Sequence, residues 1–132
     1  MSEHRIPAHG TFCWNELSTN DVEAARKFYT ELLGWTLHDS KDAGMNYIEN
    51  EAAGQRIGGM YQQSPEHGPA MPPHWMAYVA VDNVDELAAR VASLGGKVCV
   101  GPMDIPNVGR FAVVNDPTGA VFSIITLSGM PH

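Results

Sequence analysis

Two runs of alternating residues carry the strongest candidate chemistry in the chain. Phe12, Trp14 and Glu16 share one face of the first, and His74, Met76 and Tyr78 share one face of the second. Such faces offer rings for stacking (Trp14, Tyr78) and polar tips for orientation (Glu16, His74), a mixture that suits a small organic ligand. The same aromatics at strand spacing would equally serve as plain core. Gly58-Gly59-Met60 lies in a third strand-like run. It either lets a ligand or another backbone approach closely or bends the sheet as a bulge. Arg110 could clamp an anion with two bonds, or pair with Asp104 or Asp116 as a structural bridge. No Gly-rich phosphate loop, Cys-x-x-Cys pair or Ser-His-Asp order accompanies these residues. Cys13 and Cys99 sit in apolar runs and read as small core residues, and His4, His9, His38, His67 and His132 share no spacing.

The elements that must position these residues occur twice. A strand over 11–18 leads into Asn20-Asp21-Val22-Glu23, where Asn20 can cap a helix and Glu23 can close a capping box. Val22, Ala25, Phe28, Tyr29, Leu32 and Leu33 recur at helical spacing, and Gly34 supplies a left-handed exit. Short strands are expected at Thr36–Asp39, Met45–Glu49 and Arg56–Gln62, broken at Asp42-Ala43-Gly44 and Ala53-Gly54. Residues 63–73 hold four prolines and read as a linker. The plan then repeats. A strand at His74–Val81 leads to a cap at Asn83 with Glu86 three residues on, then a stripe of Val84, Leu87, Ala88, Val91 and Leu94 ending at Gly95. Strands at Lys97–Pro102, Arg110–Asn115 and Ala120–Leu127 follow, with Asp116-Pro117-Thr118-Gly119 as a turn between the last two. The reading is a single α+β domain over 1–132. It holds two βαβββ modules, about 11–62 and 74–128, that form an open barrel-like groove.

Composition narrows the function. The net charge is −7 with only eight scattered Lys and Arg, which leaves no basic stripe for nucleic acid. No apolar run reaches the roughly 20 residues a membrane span needs, and the N-terminus lacks the apolar core of a signal peptide. The expectation is a cytoplasmic protein without nucleic-acid or membrane partners.

Asn20-Asp21-Val22-Glu23-Ala24-Ala25, Phe28-Tyr29 and Leu32-Leu33-Gly34-Trp35 in the first module carry a family resemblance. Val81-Asp82-Asn83-Val84-Asp85, Leu94-Gly95-Gly96-Lys97-Val98 and Asp116-Pro117-Thr118-Gly119-Ala120 carry it in the second. Together they resemble the vicinal-oxygen-chelate superfamily, which includes glyoxalase I, bleomycin- and fosfomycin-resistance proteins and extradiol dioxygenases. Asp104-Ile105-Pro106 with Gly109-Arg110-Phe111 looks like the glyoxalase-like members often labelled hydroxylases or secreted antigens.

The resemblance implies a homodimer and, in metal-dependent members, four His, Glu or Gln ligands from the first and last strands of each module. Counted from caps and turn, those places fall near Trp14, Met76, Ser123 and the strand over 55–62, which has no His, Asp or Glu. No cofactor is therefore expected. A divalent metal on Glu16 and His74 stands as the alternative. The function expected is binding of a small organic ligand in the groove by Phe12, Trp14, Glu16, Met60, His74, Met76, Tyr78, Arg110 and Ser123. The alternative is a divalent-metal-dependent lyase or dioxygenase, so the sequence leaves open whether the chain is an enzyme.

Overall fold

A computed structural model describes residues 7–40, 47–65, 71–106 and 108–128. They form eight strands and two α-helices, divided between two compact units. Each follows the βαβββ plan, so the chain is α+β as its sequence predicts.

The first unit is built on Trp14–Met76. It contains β1 (Phe12–Thr19), α1 (Val22–Leu33), β2 (Thr36–Ser40), β3 (Tyr47–Ala52) and β4 (Gln55–Gln62). β2, β3 and β4 form an antiparallel meander, and β4 closes against β1 in parallel. Parallel neighbours need a crossover connection, and α1 supplies part of it. α1 starts at Asp21, not Asn20 as the sequence suggests. The Asp21 backbone is non-helical (φ −150°), and its carboxylate accepts from the Ala24 amide at 3.0 Å. The Thr19 hydroxyl in turn accepts from the Asp21 amide at 3.2 Å and fixes the entry. Glu23 lies 3.7 Å from Arg26, one turn along the helix. Gly34 ends the helix at φ +73°, its amide donating to the Thr30 carbonyl. Val22, Ala25 and Tyr29 of α1 cover Leu17, Ile48 and Met60, a row that runs straight across β1, β3 and β4.

The second unit takes up the chain from residue 77, with a short N-terminal segment. Most of β5 (His74–Ala80) belongs to it, with α2 (Val84–Val91), β6 (Lys97–Ile105), β7 (Gly109–Asn115) and β8 (Val121–Leu127). β5 pairs with β8 in parallel, while β6, β7 and β8 are antiparallel. Asn83 caps α2 as expected, accepting from the Glu86 amide at 3.1 Å. A 3₁₀ turn over Ala92–Leu94 extends the helix to Gly95, at φ +91°. β6 continues beyond Pro102 to Ile105, because pairing resumes at Met103 opposite Phe111 after a register shift. Val81, Val84, Ala88, Ala112, Val114 and Ile124 make the core. Cys99 is exposed rather than core, and Cys13 is half-buried; both are free thiols. The expected break at Asp42-Ala43-Gly44 and the middle of the 63–73 linker lie outside the described residues.

One buried side chain ties α2 to its sheet. The Thr126 hydroxyl accepts from the Val84 amide and donates to the Val81 carbonyl, both at 2.9 Å. Thr126→Val should destabilise the protein by about 2 kcal/mol, since it strands two buried backbone groups. Asp21→Ala should cost about 1 kcal/mol by loss of the cap, and Asn20→Ala less than about 0.5 kcal/mol. Urea denaturation of the three variants checks both expectations.

Candidate functional site

Alternation along each strand sorts its residues between two sheet faces. In the first unit, Leu17, Ile48 and Met60 face α1, so Trp14, Glu16, Tyr47 and Tyr61 face the other way. There they form a connected row. The Trp14 indole N–H donates to the Tyr47 hydroxyl at 2.8 Å, and that hydroxyl donates to Glu16 Oε2 at 2.8 Å. Tyr47 stands opposite Tyr61 in the sheet, and Glu16 opposite Gly59. A Cβ at Gly59 would overlap the Tyr47 hydroxyl and ring edge, so this glycine makes room for the tyrosine. Farther out on the same face, His38 lies 2.7 Å from Glu51, and Arg56 pairs with Glu49 and Glu51.

This face can stack a planar molecule and present a carboxylate to its donors. Burial pushes the Tyr61 phenol above its ordinary range; the bond with Ser18 opposes the shift, and the nearby Glu16 charge adds to it. Burial likewise raises the Cys13 thiol, against a bond to its own backbone. That thiol is poorly placed to act as a nucleophile.

The structure brings together only part of the expected ligand set. Trp14 and Glu16 meet through Tyr47. Phe12, at the start of β1, is 74% exposed. Met60 has no exposed surface and sits on the opposite face of the sheet, beneath α1. It is core because it lies in register with Leu17 and Ile48. The His74 ring nitrogen Nδ1 lies 2.9 Å from the Pro72 carbonyl, and Met76 is half-buried. In the second unit, Tyr78 and Ser123 are buried and in register, and the Tyr78 ring lies 6.5 Å from Phe111. Arg110 stands on the other face, with Ala112 and Val114. There it donates to both Asp85 oxygens, at 2.9 and 3.1 Å, and to Asp104 at 3.2 Å. These bonds hold the Asp85 carboxyl below its usual range and raise the Arg110 guanidinium. Arg110 thus bridges to the expected Asp104 and, with two bonds, to Asp85, which the sequence reading did not name.

Sequence reasoning missed Tyr47 and Tyr61. Both stand at outward positions of their strands, a signal that was readable once the registers of β3 and β4 were known. Among the described residues, no three His, Cys, Asp or Glu side chains gather as a metal-binding group. Glu16 Oε2 accepts from the Tyr47 hydroxyl, and the His74 Nδ1 lies 2.9 Å from the Pro72 carbonyl.

The Glu16 charge opposes ionisation of Tyr61, so Glu16→Gln should lower the Tyr61 pKa towards its ordinary value. Near-ultraviolet titration against Tyr61→Phe isolates the signal. The folded pKa lies above the unfolded one. The contribution of Tyr61 to stability is therefore present at neutral pH and fades as pH rises through the alkaline range.

Comparison with known proteins agrees with this architecture. The model of the Glyoxalase/Bleomycin resistance protein/Dioxygenase superfamily matches residues 11–124. The glyoxylase-named protein CFP32 of Mycobacterium tuberculosis is 44% identical over 118 residues, covering 88% of this chain and 44% of CFP32. The anthracycline biosynthesis protein DnrV of Streptomyces peucetius is 36% identical over 129 residues, covering 89% of this chain and 47% of DnrV. The chain thus spans about half the length of the curated relatives it matches. Methylmalonyl-CoA epimerase from Mycobacterium tuberculosis superposes with a TM-score of 0.62 at 15% identity, over 98% of this chain and 94% of the epimerase. That likeness shows the fold alone. No helix among the described residues is long and apolar enough to cross a membrane. With the doubled βαβββ plan in place and the family model spanning nearly all of it, the chain belongs to the glyoxalase/bleomycin resistance protein/dioxygenase superfamily.

Proposed function

We propose that this protein binds a small aromatic ligand on the open sheet face of the first unit, without the usual four-ligand metal site. One observation carries the reading: the hydrogen-bonded row from Trp14 through Tyr47 to Glu16, with Tyr61 beside it. An indole and two phenols offer stacking surface at low entropic cost. Glu16 adds a carboxylate that favours a ligand with an N–H or O–H at its edge. The Streptomyces relatives, named for biosynthesis of anthracyclines, support a fused aromatic ligand.

An anthracycline should quench tryptophan fluorescence saturably. Trp14→Phe and Glu16→Gln should each weaken binding about tenfold, or about 1.4 kcal/mol. Quenching that these variants leave unchanged would refute the reading. A tightly held divalent ion in protein purified without chelators, lost in Glu16→Gln and His74→Ala, would replace it with the metal-dependent lyase or dioxygenase.

A further inference from the structure

We propose a second ligand site in the first unit, on the sheet face that carries α1, for a small neutral planar molecule with an N–H next to a C=O. Asn50 is its centre. This side chain has no exposed surface, and neither its amide nitrogen nor its oxygen has a hydrogen-bond partner. Buried amides are almost always paired, so two orphaned ends on one side chain require an explanation. Asn50 lines a cavity of about 270 Å³ with Asn15, Trp35, Ile57, Gly58 and Trp75.

The sheet itself makes this hollow. Asn15, Gly58 and Asn50 lie in one row across β1, β4 and β3, one step along from the Leu17–Met60–Ile48 row. Gly58 leaves the middle of the row without a side chain; a Cβ there would overlap the Asn15 carbonyl. The sheet pairing shifts register immediately beyond, as Glu51 pairs with Arg56 and Ile57 has no partner on β3. Two indoles form walls, Trp35 and Trp75, with ring centres 6.1 Å apart and planes at 90°. Tyr29 stacks on Trp35 at 5.2 Å and accepts the Trp75 indole N–H at 3.2 Å, which holds both rings in place. That bond also occupies the Trp75 donor, so the lining carboxamides are those of Asn50, which is buried, and Asn15.

The lining chooses the ligand class. None of the six residues carries a charge, so an ionic ligand would be desolvated without compensation. A carboxamide presents one donor and one acceptor, whichever way its ends are assigned. Its complement is a cis-lactam or similar group, which pairs with it through two antiparallel hydrogen bonds. A volume of about 270 Å³ has room for one small ring.

The probe is 2-pyridone, with N-methyl-2-pyridone as the analogue that lacks the donor. Titrating labelled protein with 2-pyridone should give saturable NMR shifts at the Asn50 side-chain amide and at the Trp35 and Trp75 indoles. N-methyl-2-pyridone should bind at least tenfold more weakly. Asn50→Leu removes the orphaned groups while keeping the volume. It should melt no lower than the native protein and lose the preference between the two probes. Trp75→Ala, which removes a half-exposed wall, should weaken 2-pyridone binding independently of any effect of Asn50→Leu on folding. Trp14→Phe, on the other face, should leave these shifts unchanged, so this test stands apart from that of the proposed function. Equal binding of the two probes, absence of saturable shifts, or a crystal soak showing only water on Asn50 would overturn the proposal.

Discussion

In each unit the first and last strands lie side by side and run in the same direction. β1 pairs with β4, and β5 with β8, in parallel. No tight turn can join such neighbours, so the chain leaves through a helix and returns through a meander. That constraint assigns the two faces of the sheet. One is covered by α1 or α2 and becomes core. The other carries no helix of its own unit; in the first unit it holds the Trp14–Tyr47–Glu16 row, and in the second the buried Tyr78 and Ser123. The period of two along each strand then decides which side chain serves which purpose. Glu16 and Leu17 are neighbours in sequence, yet one belongs to the polar row and the other to the core.

The two units meet this constraint with different amounts of buried apolar surface. α2 buries Val84 and Ala88, and the Thr126 hydroxyl satisfies the backbone where the helix begins. α1 has no fully buried residue, and Phe28 and Leu32 are more than half exposed. Its hold on the sheet comes from the Leu17–Met60–Ile48 row and from the Tyr29–Trp35 stack past its C-terminus. The buried Thr126 hydroxyl closes two backbone valences in the second unit, while the Asn50 amide in the first and the Ser123 hydroxyl in the second have no hydrogen-bond partner.

Much of the fold was legible because each element carries its own local signal. Gly34 and Gly95 stop their helices through a left-handed conformation that a side chain disfavours, and Asn83 caps through a short side chain beside a free amide. The cap of α1 falls one residue after the expected Asn20, because Asp21 has the same capping chemistry and the Thr19 hydroxyl accepts from its amide. The site was less legible because it depends on register. Nothing local tells that Met60 lies beside Leu17 and Ile48, or that Tyr47 reaches Trp14 across thirty-three positions of the chain. Arg110 shows the same limit: its main partner, Asp85, comes from the other end of a crossover.

Gly58-Gly59 shows how the two faces are coupled. Successive strand residues point to opposite sides, so a pair of glycines opens space on both at one level of the sheet. On the α1 side, Gly58 leaves the hollow beside Asn50; on the other, Gly59 leaves the seat that Tyr47 occupies against Glu16. A side chain at the first would meet backbone, at the second a phenol ring. The backbone cannot move without disturbing the β1–β4 pairing that defines the unit, whereas the ring can swing aside at the cost of its bond to Glu16. Gly58 is therefore a requirement of the fold that leaves a cavity as its consequence. Gly59 is a requirement of the polar row itself, and the fold would tolerate its loss more readily than the row would.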